Sequence, residues 1–127
     1  MHPLLYVVLG YGLTILTKLP VSVAMARHGG YDNHNPRLQQ DQLTGWGKRA
    51  VAAHKNAFEA FPPYAAAILV AYVSDADTTL LHSLGSGFLL FRVAYEGAYL
   101  ADRAMLRSSM WFAAVGCCVG LMLTPVL

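Results

Sequence analysis

The chain has 127 residues, 56% of them hydrophobic and 13% charged, with a formal net charge of +2. Ordinary soluble domains are about 25% charged, so this composition argues against one. No Gly-rich phosphate loop, basic amphipathic helix or nucleic-acid motif occurs, so no nucleic-acid partner is expected.

Four apolar segments follow one another at residues 4–26, 50–73, 78–101 and 109–127. Each approaches the ~20 residues needed to cross a hydrocarbon core of about 30 Å. A soluble four-helix bundle would need a polar outer face on every helix, yet residues 4–17 and 109–127 carry no charge. The expected fold is all-α: a single domain, residues 1–127, forming a four-helix transmembrane bundle.

The first segment has no basic leader and carries Lys18 and Pro20 late. It shows no small-residue cleavage pattern before Arg27, so it reads as a retained span rather than a secretory signal. The connection at 27–49 contains the turn formers Gly29, Gly30, Asn33, Asn35 and Pro36, which predict an irregular segment. Its His28, Asp32 and His34 match no standard metal spacing and read as solvated loop polars, so no metal is expected. Loop 27–49 also holds Arg27, Arg37, Lys48 and Arg49, and loop 102–108 holds Arg103 and Arg107, while the turn at 74–77 has only acidic charge. The positive-inside rule then puts both basic loops in the cytoplasm and both termini outside.

On the second segment, at 100° per residue, Arg49, Asn56, Glu59 and Pro63 share an arc of about 80°, with His54 well off it. Pro62 and Pro63 release the carbonyls of Phe58 and Glu59, either as a kink serving a site or as the ordinary tolerance of membrane helices for proline. On the third, Arg92, Tyr95, Glu96, Tyr99 and Arg103 fall within an arc of about 100°. The adjacent Cys117 and Cys118 of the fourth cannot easily bridge one another, so buried thiols are expected ahead of a redox pair. No repeat relates the two halves, which argues against an inverted-repeat transporter.

A charge at hydrocarbon depth costs roughly 2.5–3.5 kcal/mol or more and persists only with a partner or a watery cavity. Lys18, Glu59 and Arg92 each lie roughly 13–17 Å from their cytoplasmic helix ends, with Glu96 about a turn shallower. These four are expected to balance one another around an internal polar site. An Arg- and Tyr-lined crevice with a deep carboxylate suits a small zwitterionic or anionic ligand; the bland alternative is an architectural ion-pair network.

The run Arg49-Ala-Val-Ala-Ala-His54-Lys55-Asn56-Ala-Phe-Glu59-Ala-Phe-Pro62-Pro63 resembles the signature of the MAPEG superfamily, the membrane-associated proteins of eicosanoid and glutathione metabolism. Arg92-Val-Ala-Tyr95-Glu-Gly-Ala-Tyr99 and Leu106-Arg107-Ser108 agree with it, and the plain composition is similar to bacterial members. The resemblance implies a homotrimer in membrane lipid, in a bacterial inner membrane, holding glutathione between neighbouring subunits as a thiol co-substrate for an apolar substrate. It implies a ligand set of Arg49, His54, Lys55, Asn56, Glu59, Arg92, Tyr95 and Tyr99, with Glu59 receiving the γ-glutamyl ammonium. It implies that Arg107, with Ser108 beside it, holds the sulfur as thiolate, because a nearby guanidinium favours that anion. Ala52 stands where glutathione-using relatives commonly carry arginine. Three functions follow: a glutathione-dependent transferase or peroxidase, a non-catalytic small-ligand-binding protein, or a structural membrane subunit.

Overall fold

The computed structural model describes residues 1–126, and Leu127, the last residue of the expected fourth segment, lies outside them. The described residues are helical, without strands: α1 Leu5–Leu16, α2 Lys18–Arg27, α3 Pro36–Gln42, α4 Gly45–Val73, α5 Thr78–Leu100, α6 Ala104–Leu123 and a final 3₁₀ turn, Thr124–Val126. Two stretches are long and apolar enough to cross a membrane, Leu5–Arg27 and Ala104–Val126.

Local chemistry explains the element ends. Pro20 cannot donate to the carbonyl of Leu16, and α1 gives way to α2 at Thr17, whose hydroxyl donates instead to the carbonyl of Thr14 at 2.7 Å. Helix α4 continues through Pro62 and Pro63 for 29 residues, so the prolines do not end it. Its C-terminus closes with Asp75 at φ 51° and bonds from Ala76 N–H to the Ala71 carbonyl (3.0 Å) and Asp75 N–H to that of Tyr72 (3.4 Å). Helix α5 ends the same way at Asp102, φ 58°, with Arg103 N–H on the Ala98 carbonyl at 2.9 Å. Both are the reverse-turn cap that satisfies orphan carbonyls, with aspartate where glycine is usual. Asp77 caps the start of α5, its Oδ1 accepting from Leu80 N–H at 2.8 Å.

Three expectations from sequence need correction. The 27–49 connection is irregular only from His28 to Asn35 and at Leu43 and Thr44, because Pro36 starts α3, where its fixed φ favours a first helical turn. Helix α4 begins at Gly45, ahead of the apolar segment at 50–73, since polar residues extend a helix as readily as apolar ones. The 102–108 loop shrinks to a turn, because α6 begins at Ala104 and carries Arg107 and Ser108 in its first two turns.

Helix α4 is the hub, packing on α1, α2, α3, α5 and α6, and α5 lies along α6. Two apolar cores form. One joins Tyr6, Tyr64, Ile68, Leu81, Phe88 and Leu121 near the Asp-rich turn; the other joins Val21, Met25, Leu43, Ala50 and Val51 near the basic connection. Between them runs a polar layer holding the buried Thr14, Thr17 and Arg92. Large apolar side chains cover much of the outside, among them Val8, Leu16, Leu19, Leu90, Val93 and Phe112, far more than the scattered exposure ordinary for a monomer in water.

Candidate functional site

Arg92 organises the polar layer. It projects from the mid-length of α5 with 3% of its surface exposed. Its Nη1 donates to Asn56 Oδ1 at 2.9 Å, its Nη2 lies 3.5 Å from Glu96 Oε1, and its guanidinium sits 4.1 Å from the Tyr95 ring centroid. Glu96 is one helical turn on, at the i,i+4 spacing that puts two side chains on one face. Because the guanidinium has donors only, it must meet the carbonyl end of the Asn56 amide. The amide's NH₂ is thereby turned outward, and Asn56 Nδ2 donates to Glu59 Oε2 at 3.1 Å. A chain of fixed polarity thus runs from the half-buried Glu96 through Arg92 and Asn56 to Glu59, which is exposed.

Glu59 stands at the edge of a groove of about 390 Å³. Asn56, Glu59 and Arg92 supply its polar end, while Phe88, Trp111, Ala114, Val115, Cys118 and Met122 line the rest. Arg107 lies one turn before Trp111 on α6, and its guanidinium is 4.6 Å from the Tyr99 ring centroid. Tyr99 meets Tyr95 edge to face at 5.6 Å. Aromatic rings therefore hold both arginines through their electron-rich faces.

The structure brings Asn56, Glu59, Arg92, Tyr95, Tyr99 and Arg107 into this one region and leaves the other candidates apart from it. Arg49 pairs with Asp102 at 3.8 Å and donates through Nε to the Leu100 carbonyl at 3.4 Å, tying the start of α4 to the end of α5. His54 turns toward α1 and α2, with Nδ1 2.7 Å from Thr17 Oγ1. Lys55 is exposed beside Lys48 and Ala52 at a separate small hollow, and Ser108 is exposed. Lys18 does not join the balanced set of four charges expected from depth. Its ammonium lies 6.0 Å from the Tyr31 ring centroid, because depth fixes height along a helix and not the face a side chain takes.

Sequence reasoning passed over the groove's apolar wall and the threonines. Thr14 and Thr17 share the i,i+3 face and enclose, with Ala57, Arg92 and Glu96, a hollow of about 10 Å³, barely a water molecule's space. Their signal was the threonine spacing just before Lys18. The cysteines are free and buried, as expected. Among the described residues no cluster of His, Cys, Asp and Glu is arranged to hold a metal.

The model of the MAPEG family matches residues 3–127. No curated protein and no solved structure matches the chain significantly.

Proposed function

The chain belongs to the MAPEG family, and on that premise we propose that it is a glutathione-dependent membrane enzyme acting on an apolar electrophile. Membership and the two apolar helices support a membrane protein related to glutathione and eicosanoid metabolism. In the proposed arrangement α1–α2, α4, α5 and α6 are four spans of a bacterial inner-membrane protein, with termini outside and both basic connections cytoplasmic. Three copies assemble, and glutathione lies between neighbours.

One observation carries the reading: a buried guanidinium orients Asn56 and Glu59 at the mouth of an apolar groove. Glu59 takes the ligand's ammonium, with Asn56 as its hydrogen-bond partner. Arg107 lies on the groove's side of α6, where a cation favours the thiolate over a thiol of pKa about 8.5. The thiolate then attacks the electrophile seated against Trp111 and Cys118. In conjugation a sulfur–carbon bond forms as the substrate's leaving group or opened-ring oxygen departs with the electron pair. In peroxide reduction the thiolate attacks one peroxide oxygen, the O–O bond breaks and the alkoxide leaves and takes a proton, giving a sulfenic acid; a second glutathione thiol then attacks that sulfur, and the disulfide forms as the hydroxyl leaves as water.

A second reading, ligand binding without thiol chemistry, is favoured by the exposed Ser108 and by Ala52 in place of a cation. Calorimetric titration of the purified protein with glutathione and its S-alkyl analogues, together with thiolate ultraviolet absorbance, separates the two. Glu59→Gln should weaken binding roughly ten- to a hundredfold, as for loss of one hydrogen bond to a charged group. Arg107→Ala should keep most of the binding and abolish the thiolate signal. Binding with no thiolate at neutral pH in the wild type would leave the second reading standing, and no binding at all would remove both.

A further inference from the structure

The threonine side of the polar layer takes no part in the ligand site at Glu59. Thr14 near the end of α1, Thr17 at the break before α2, and Arg92 and Glu96 on α5 line one hollow of about 10 Å³, with Ala57 and Ala60 of α4 beside them. Thr14, Thr17 and Arg92 are each more than nine-tenths buried. A hollow of that size has room for one water molecule, and it takes one only if it offers several polar partners.

The hydroxyl hydrogens are all assigned by their neighbours. Thr14 gives its O–H to the Gly10 carbonyl at 3.0 Å, and Thr17 gives its own to the Thr14 carbonyl at 2.7 Å. Each hydroxyl has a single hydrogen, so His54 Nδ1 must be the donor in its 2.7 Å contact with Thr17 Oγ1. Toward any further neighbour both threonines are then acceptors only. The Glu96 carboxylate is an acceptor too, and the Arg92 guanidinium is a donor without lone pairs. Acceptors from α1 and α5 therefore share one hollow with no hydrogen of their own to place between them.

A second observation points to the same occupant. Arg92 Nη2 and Glu96 Oε1 stand 3.5 Å apart. That is longer than the ~2.7–3.2 Å of a direct N–H···O bond, and it is a separation that a bridging water relieves.

We propose that this hollow holds one water molecule. It donates one hydrogen to a threonine hydroxyl oxygen and the other to the Glu96 carboxylate, and it accepts from Arg92. No other small occupant meets all three demands. A sodium or ammonium ion has no lone pair for the guanidinium and would face its positive charge, and an apolar filler would leave buried acceptors without a donor, which is costly. The water ties the inner end of the chain from Glu96 to Glu59 onto the first helix, and through the Thr17 contact His54 braces it from the far face of α4. The site stands whether or not glutathione is the ligand at Glu59.

The test uses the full chain. A crystal structure grown from a lipid mesophase, at a resolution that shows ordered water, should place density in the hollow within hydrogen-bond distance of Glu96 and of Thr14 or Thr17 Oγ1. Oxygen-17 relaxation dispersion of the detergent-solubilised protein then counts long-lived waters. Of the shape-matched variants Thr14→Val and Thr17→Val, the one that removes the water's acceptor should lose one such water and lower Tm, and the serine at the same position should retain both. The proposal is overturned if the wild-type hollow shows no density, or if both valine variants keep the full count. It is equally overturned if the density rises and falls with sodium or ammonium concentration. The wild-type density decides by itself if neither valine variant folds.

Discussion

Replacing Arg92 with leucine tests whether the polar layer is held together by charge compensation. Truncation removes the 2.9 Å bond to Asn56, the Tyr95 ring contact and the 3.5 Å pairing with Glu96. The greater cost lies in the charge that stays behind. The Glu96 side chain is 15% exposed and has no other ion-pair partner among the described residues, and stranding one member of a buried pair costs about 3–5 kcal/mol. The attraction itself is modest at that separation, so removing both charges should cost far less. Arg92→Leu with Glu96→Leu is expected to recover most of the loss, as replacing a whole buried pair by apolar residues often does. Reversible unfolding of the solubilised protein, measured for wild type, both single variants and the double, gives the coupling directly. An Arg92→Leu protein within about 0.5 kcal/mol of wild type, the range of ordinary surface changes, would refute the argument. So would strict additivity.

A Cβ on Gly10 would lie 2.9 Å from Tyr64 Cε1, and Tyr64 cannot yield, being stacked on Phe88 at 3.9 Å and bonded to the Gly85 carbonyl at 2.9 Å. Gly10→Ala should therefore lose about 1–3 kcal/mol, whereas Gly12→Ala, with nothing within 4 Å, should gain about 0.5–1 kcal/mol from helix propensity; thermal unfolding of the matched pair decides. A single cysteine at Asn33, with Cys117 and Cys118 replaced by alanine, should be labelled by membrane-impermeant maleimide only from the cytoplasmic side. Labelling in intact cells would reverse the proposed orientation.

The long helices were legible because apolar runs and polar stripes repeat at helical spacing, and Arg92, Tyr95, Glu96 and Tyr99 share one face as their spacing requires. Helix ends were not. Hydropathy marks where a chain tolerates hydrocarbon, whereas α4 starts where Gly45 takes φ 52° after the extended Thr44. Helix α3 escaped because seven residues among turn formers carry no apolar period, and only Pro36 announced it. The Asn56–Glu59 pair was visible as an i,i+3 spacing within one helix. Its union with Arg92 rested on depth alone until the α4–α5 packing realised it. The same reasoning failed for Lys18, where the break at Thr17 and the folded-back connection give the ammonium a different neighbourhood.

The asymmetry of the layer supports the proposed binding site over mere architecture. An ion-pair network that only neutralises buried charge has no use for a carboxylate at its rim. Here the inner end is closed: Arg92 is 3% exposed and spends its donors on Glu96 and Asn56. The outer end is open: Glu59 is exposed, and Asn56 is its one hydrogen-bond partner among the described residues. Fixing the amide from behind leaves the Glu59 carboxylate oriented before any ligand arrives, so little ordering remains to oppose binding. On the proposed function Arg92 is a positioning residue, which yields a distinction stability alone would miss. Arg92→Lys retains a charge for Glu96 but presents a point donor in place of a planar fork. It should keep most of the stability while weakening ligand affinity through a disordered Asn56. Equal losses of both would return Arg92 to a purely structural role.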